Sequence, residues 1–218
     1  MKDDKLIVNE IFKSIEGEGI RTGYLVTFIR LQGCNLKCSY CDTRYSCEGN
    51  EGQEMYINDI LDTVSLYNVN KVTLTGGEPL IHNHVNELID ELINNNYEVN
   101  VETNGSIDIS SILKKNIIVT MDYKSISSGM NKYMRIENLN LLREQDVLKF
   151  VVGNYEDLED MQKVLEKYKP ICNIFVSPVF SKIELIDMVE YLKYNNLNNV
   201  RMQVQMHKII WEPTKRGV

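Results

Sequence analysis

Gly33-Cys34-Asn35-Leu36-Lys37-Cys38-Ser39-Tyr40-Cys41-Asp42-Thr43 follows closely on an apolar run, Tyr24-Leu25-Val26-Thr27-Phe28-Ile29-Arg30-Leu31. The run has the composition of a strand, and a strand ending in a short cysteine loop is a rigid platform for a soft metal site. Thiolates favour zinc or iron–sulfur clusters over hard cations. Four cysteines close a structural zinc site or fill an ordinary cluster. Here the tight spacing C-x3-C-x2-C supplies three. Three thiolates on a cubic four-iron cluster leave one iron free for another ligand.

Other readings of this loop carry different expectations. Buried free cysteines pack as small hydrophobes, but Gly, Asn, Lys, Ser and Asp neighbours do not look like core. A zinc knuckle completed by Cys47 or a distant His would be a non-catalytic site. A disulfide fits poorly, because the start Met1-Lys2-Asp3-Asp4-Lys5 is polar and no secretory signal is evident. Reduced, metal-binding cysteines suit a cytoplasmic protein. The chain has five cysteines, so Cys47 and Cys172 remain outside the motif.

A length of 218 residues fits one domain, 1–218, with a sizeable core. No apolar run approaches the roughly 20 residues of a membrane helix. A net charge of −7 gives no global basic field to draw in nucleic acid or an anionic membrane.

Outward from the cysteine loop, strands alternate with helices. Strand patterns fall at 24–31, 71–75, 97–102, 117–122, 147–152, 174–176 and 200–206, and helical spacing at 56–66, 85–93, 107–115, 158–168 and 183–192. Alternation of this kind implies a parallel sheet with right-handed crossovers. The expected fold is α/β: an incomplete TIM-like barrel of parallel strands with outer helices, its site at the strand C-terminal ends. Polar candidates recur there: Cys34, Thr75, Glu102, Asp122 and Ser177. Arg30, near the end of its strand, is either a salt-bridge partner or a forked clamp for a substrate carboxylate. Composition alone makes Ser14-Ile15-Glu16-Gly17-Glu18-Gly19 a surface turn, although its glycines also allow close approach to a ligand. Glu48 to Glu54 reads as an exposed excursion. In the last strand Arg201, Gln203, Gln205 and His207 share one face by period two, either a polar wall inside the barrel or an inert edge. Lys149, inside an apolar strand, poses the same alternative. His82 and His84 read as helix-start residues.

Cys-x3-Cys-x2-Cys with Tyr40 before the third Cys, followed by Thr75-Gly76-Gly77-Glu78-Pro79 after a strand, resembles the radical S-adenosylmethionine (SAM) superfamily. Within it, Phe12-x-Ser14-Ile15-Glu16-Gly17-Glu18-Gly19, Phe28-Ile29-Arg30-Leu31-Gln32-Gly33-Cys34, Cys41-Asp42-Thr43, Glu102-Thr103-Asn104-Gly105 and Gln205-x-His207-Lys208 are similar to the 7-carboxy-7-deazaguanine synthase family. The resemblance implies a radical SAM core in which Cys34, Cys38 and Cys41 hold a [4Fe–4S] cluster. SAM would be bordered by Tyr40, Cys41, Asp42, Gly77, Asp122, Tyr123, Lys124, Ser177, Pro178, Val179 and Phe180. Thr43 would bind Mg2+, and Ile15, Glu16, Gly17, Arg30 and Thr75 would line the substrate.

The implied reaction contracts the ring of 6-carboxy-5,6,7,8-tetrahydropterin with loss of ammonia, giving 7-carboxy-7-deazaguanine, a precursor of 7-deazapurine nucleosides such as queuosine in tRNA. SAM cleavage would give a 5′-deoxyadenosyl radical, hydrogen would leave C6 of the pterin, and SAM would be reused. A flavodoxin or ferredoxin would supply the electron, and the assembly would be a homodimer. The cofactors do the hard step and the protein supplies position and exclusion of water. Two departures stand out. The family commonly has Gln where this chain has Glu16, and the chain runs on past Lys208 to Val218. A glycyl-radical activase would share the cluster but leave the Glu-Gly-Glu-Gly loop and Cys-Asp-Thr unexplained.

Overall fold

The computed structural model describes residues 4–218; Met1 to Asp3, part of the polar start noted above, lie outside the described residues. Nine strands form one sheet in the order β3-β1-β2-β4-β5-β6-β7-β8-β9. Seven are parallel: β2 (Leu25–Leu31), β4 (Lys71–Gly76), β5 (Glu98–Thr103), β6 (Ile118–Lys124), β7 (Val147–Val152), β8 (Asn173–Pro178) and β9 (Val200–Met202). These are the seven read from the sequence. Two antiparallel strands extend the sheet beyond β2: β1 (Lys5–Ile15), paired with β2, and β3 (Gln53–Tyr56), paired with β1. Neither was expected. β3 occupies the end of the stretch read as an exposed excursion, which begins in the short helix α1 (Arg44–Glu48).

The strands obey period two, so one face of each is apolar and the other polar. Val72 and Leu74 of β4, Val99 and Val101 of β5, Val119, Met121 and Tyr123 of β6, and Leu148, Phe150 and Val152 of β7 belong to the apolar core. They share it with Ile60 and Val64 of α2 (Ile57–Ser65), Leu88, Ile89 and Leu92 of α3 (Val85–Asn94) and Leu158 and Met161 of α5 (Tyr155–Tyr168). Each such side chain contributes about 1.5–3 kcal/mol when fully buried. The opposite face carries Thr73, Thr75, Asn100, Glu102, Thr120, Asp122, Lys124 and Lys149 and looks into the barrel.

That interior is filled by chain rather than by apolar layers. Residues 16–22, which take up the end of the stretch Ser14–Gly19 read above as a surface turn, run inside the barrel, with only Ile20 turned to solvent. Glu16 is 3% exposed and Arg21 6%. Arg21 donates to the carbonyls of Val72 (3.3 Å) and Glu98 (3.1 Å), and Gly19 N–H donates to Gln203 Oε1 at 2.6 Å. Met206 N–H donates to the Gly17 carbonyl at 3.3 Å. The loop therefore bridges from the β4–β5 side to the β9 side, where no strand pairing joins the two ends of the sheet.

Two other elements are shorter than their patterns. The helical spacing at 107–115 yields only α4 (Ser110–Leu113), and the strand predicted over 200–206 stops at Met202. Gln203 keeps a ladder-like bond to Val176, but its side chain is drawn into the loop at Gly19 and Thr22, and the chain then turns into α7 (Met206–Ile210). Three of the four residues still reach the interior, Gln203 and Gln205 bonded to the loop and His207 from the first turn of α7, whereas Arg201 is exposed over the Phe175 ring. α6 (Leu185–Tyr194) follows β8, and His84 precedes α3 at its start. Among the described residues no helix is long and apolar enough to cross a membrane.

Phe150 has no exposed surface and packs at 5.0 Å from the Tyr123 ring. Phe150→Ala is expected to cost about 3–5 kcal/mol of unfolding free energy, read from the midpoint of anaerobic chemical denaturation.

Candidate active site

A cavity of about 260 Å³ opens at the C-terminal ends of the parallel strands, where parallel α/β barrels carry their sites. One wall is the cysteine loop, with Cys34, Cys38, Tyr40, Cys41, Asp42 and Thr43. The loop is fastened on two sides. Ser39 N–H and Oγ donate to the carbonyls of Ser128 (3.0 Å) and Ser127 (2.7 Å), and Tyr40 OH reaches the Val151 carbonyl at 3.4 Å.

The second fastening starts at Glu78. Its carboxyl, fully buried, accepts from Leu80 N–H (3.1 Å), Thr103 Oγ1 (2.8 Å) and Asn104 N–H (2.6 Å), tying the end of β4 to the end of β5. Burial pushes its pKa up to about 7, against the pull of those donors. Asn104 in turn donates to Asn35 Oδ1 (3.0 Å) and lies 3.7 Å from Cys34 Sγ. Gly76 and Gly77 permit the crossing: φ of Gly76 is +155°, and a Cβ on Gly77 would overlap the Gly33 carbonyl and lie 2.7 Å from Cys34 Cβ.

The floor and far wall are polar. Lys149, 5% exposed, bonds Glu18 at 3.1 Å and Asp122 at 3.0 Å, and Lys124 bonds Asp122 at 3.1 Å. Burial alone would lower the Lys149 pKa, but Asp122 and Glu18 raise it well above the ordinary value. Burial likewise works against Asp122, yet Lys124 and Lys149 hold it below the ordinary carboxylate value. Thr73 Oγ1 donates to Glu16 (2.6 Å) and Thr75 Oγ1 to Glu102 (2.8 Å). Arg30 is a salt-bridge partner through one nitrogen and leaves its fork on the cavity wall. Its Nε bonds Glu10 Oε1 at 2.7 Å, an oxygen that also accepts from Tyr45 OH at 2.7 Å, while among the described residues its terminal nitrogens take no protein partner. The fork lies on the cavity wall between the rings of Phe12 and Tyr45.

A model of the radical SAM superfamily matches residues 28–168. The 7-carboxy-7-deazaguanine synthase of Clostridium acetobutylicum is 41% identical over 217 residues, covering 97% of this chain and 98% of that one. The chain belongs to the 7-carboxy-7-deazaguanine synthase family of the radical SAM superfamily. The synthase of Methanospirillum hungatei is 39% identical, over 94% of this chain and 86% of that one. The crystal structure of QueE from Escherichia coli superposes with a TM-score of 0.76 at 25% identity, over 93% of this chain and 95% of that chain.

Membership of the radical SAM superfamily implies a [4Fe–4S] cluster and SAM, and the donor set fits the cluster. Three thiols line one wall, and Leu36 N–H donates to Cys34 Sγ at 3.4 Å, a bond that favours thiolate. Cys47 Sγ lies 3.8 Å from Cys41 Sγ, and thiol hydrogen bonding with Cys47 lowers the pKa values of Cys34 and Cys41 to about 6 against burial, while burial raises that of Cys38. Cys172, by contrast, sits in the apolar core.

Of the residues the resemblance put around SAM, Tyr40, Cys41, Asp42, Gly77, Asp122, Lys124, Val179 and Phe180 line the cavity. Tyr123, Ser177 and Pro178 do not. Tyr123 lies between two inward residues and so points outward, packing on Phe150 with its hydroxyl toward Asp160. Ser177 and Pro178 are buried at the end of β8. Ile15, Glu16, Gly17, Arg30, Thr75 and Thr43 all line the same cavity. Residue-by-residue reading gave no role to Glu10, Asn104 and Tyr45, and named Cys47 only as the completing ligand of a zinc knuckle. Of the four, only Cys47 and Asn104 carried a signal, Cys47 beside the cysteine motif and Asn104 within Glu102-Thr103-Asn104-Gly105.

Gly77→Ala is expected to push Cys34 from its place and cut the iron and sulfide bound per chain severalfold after anaerobic reconstitution, measured by metal analysis. Lys149→Met leaves Glu18 and Asp122 facing each other without their shared cation and is expected to cost about 3–5 kcal/mol. That loss, followed by denaturation, shrinks as the pH falls and Asp122 protonates.

Proposed function

We propose that this chain is a 7-carboxy-7-deazaguanine synthase, contracting the ring of 6-carboxy-5,6,7,8-tetrahydropterin with loss of ammonia in 7-deazapurine biosynthesis. The observation that carries the reading is one cavity holding two dissimilar walls. Three thiols stand at one, and a fork of Arg30 with Glu16, Thr75 and Glu102 lines the rest. When bound, the cluster and SAM supply electron transfer and hydrogen-atom abstraction.

The chain's own residues bind and orient. Arg30, steered through Nε by Glu10, presents its terminal nitrogens to the substrate carboxylate bidentately. Glu16 and Thr75 meet polar atoms of the ring, and the buried loop 16–22 closes the chamber from below and excludes water. Lys208, paired with Asp42 at 2.7 Å and lying 5.9 Å from the Phe180 ring, draws the C-terminal helix over the SAM side. Thr43 Oγ1 offers Mg2+ a hard oxygen ligand beside substrate oxygens and water. The reductant is a flavodoxin or ferredoxin. The assembly is a homodimer, supported by the exposed apolar side chains Ile186 and Tyr194 on α6 and Ile209 and Ile210 on α7.

The test is anaerobic: reconstituted protein with reductant, SAM, Mg2+ and 6-carboxy-5,6,7,8-tetrahydropterin, followed by mass spectrometry. SAM-dependent 7-carboxy-7-deazaguanine is the expected product. Deoxyadenosine without the deazaguanine would overturn the substrate, and product only with an added protein partner would favour an activase. Arg30→Lys is expected to leave iron content unchanged and weaken substrate binding about tenfold or more, because a point charge replaces a fork. Equal affinity in a titration without reductant would remove the clamp.

A further inference from the structure

Among the described residues the interior of the barrel holds four acids, Glu16, Glu18, Glu102 and Asp122, and four cations, Arg21, Arg30, Lys124 and Lys149, of which Arg30 is already paired with Glu10 and also acts on Glu102. Their contacts are unequally shared. Lys149 bonds Glu18 and Asp122, Lys124 bonds Asp122, and Gln205 donates to Glu18 at 3.3 Å. Arg21 spends Nη1 on the Val72 and Glu98 carbonyls and Nη2 on Thr73 Oγ1 at 3.2 Å. Glu16 and Glu102 are left with hydroxyl donors alone. Of the two, Glu102 lies in the stronger field of Lys149, whereas Arg21 reaches Glu16 only through the Thr73 hydroxyl. Two buried carboxyls that share a chamber with too few cations do not both ionise. The proton stays on the acid with the weaker partner, and that acid is Glu16. His207 on this side lies in the fields of Glu18, Asp42, Lys208 and Lys149.

We propose that Glu16 is a neutral carboxylic acid in the working protein and that its O–H donates to an acceptor on the bound substrate, so that it reads a lactam edge, N–H beside C=O, of the heterocycle. This rests on the pterin reading of the cavity. Glu16 Oε2 is held by Thr73, while Oε1 takes no protein partner among the described residues and belongs to a side chain on the cavity wall. A carboxylate there would offer acceptors only and would select a donor–donor edge. A neutral acid offers one donor and one acceptor, the complement of a lactam. Burial first, then Glu102, push the Glu16 pKa up to about 8, against Thr73, Arg21 and Lys149. The acid form therefore prevails at neutral pH, and the donor is lost as the pH rises through about 8.

The experiment uses cluster-reconstituted protein without reductant, so that nothing turns over. Infrared difference spectra between wild type and Glu16→Gln near neutral pH should show one protonated-carboxyl band unique to the wild type. It should fade as the pH passes about 8. The affinity for 6-carboxy-5,6,7,8-tetrahydropterin should fall by up to tenfold for each pH unit above that point. In Glu16→Gln, which keeps a donor and an acceptor at every pH, this dependence should vanish, and the comparison subtracts titration of the ligand itself. Glu16→Ala should bind weakly throughout. Absence of the band at neutral pH overturns the proposal, as does wild-type affinity that tightens with rising pH. A band present, with no binding of the pterin to any variant, sinks the substrate reading while the protonated acid stands.

Discussion

Lys149 is joined to Glu18 and Asp122 by two bonds near 3 Å, its own side chain almost wholly buried. Glu18 belongs to the loop after β1, Asp122 to β6 and Lys149 to β7, so the ammonium ties a loop to the wall of the barrel. Desolvating three charges is costly, and their attraction offsets that cost only in good geometry with the remaining sites hydrogen-bonded. The cross-strand register supplies the geometry, since Asp122 and Lys149 are direct neighbours on β6 and β7. With the loop anchored, the interior becomes a polar chamber with a floor, and the other site residues take their places against it.

The other end of the chamber depends on a carboxyl used in a different way. Glu78 bonds two backbone N–H groups and a hydroxyl, and so joins the ends of adjacent strands beneath the cysteine loop. It does not line the cavity. Its work is to hold Asn104 and the glycine pair where the cysteines need them. The two ends meet along Arg30, whose salt-bridge partner Glu10 also accepts from Tyr45 OH. The Tyr45 ring in turn lies 3.7 Å from the Arg216 guanidinium. The same side chain is thus fixed by one nitrogen and free by two. A rigid clamp needs that arrangement, because the ordering cost is met before a ligand arrives.

Much of this was legible residue by residue. The seven parallel strands were visible because each carries a short apolar alternation bounded by turn residues. The polar positions among them fell on one face by period two. The same rule separates Tyr123 from Asp122 and Lys124: adjacent strand residues cannot share a wall, so a contiguous segment was too coarse a unit. β1 was missed because its register shifts between Val8 and Glu10 and breaks the alternation, and β3 because three of its four residues are exposed. The last strand was overread because Gln203 and Gln205 keep the period after the ladder ends, their side chains bonded to a loop more than 180 positions away.

The sequence by itself determined whatever rests on near neighbours: the spacing of Cys34, Cys38 and Cys41, the strand that presents them, and the division of each strand into an apolar and a polar face. Only the tertiary structure decided where Glu16, Glu18 and Arg21 lie, since a glycine-rich acidic loop has the same composition on a surface as inside a barrel. It also decided which carboxyls meet a cation and which a hydroxyl alone. Those partners, Lys149 for Glu18 and Thr73 for Glu16, stand 131 and 57 positions away and are brought together only when the sheet curls around the loop.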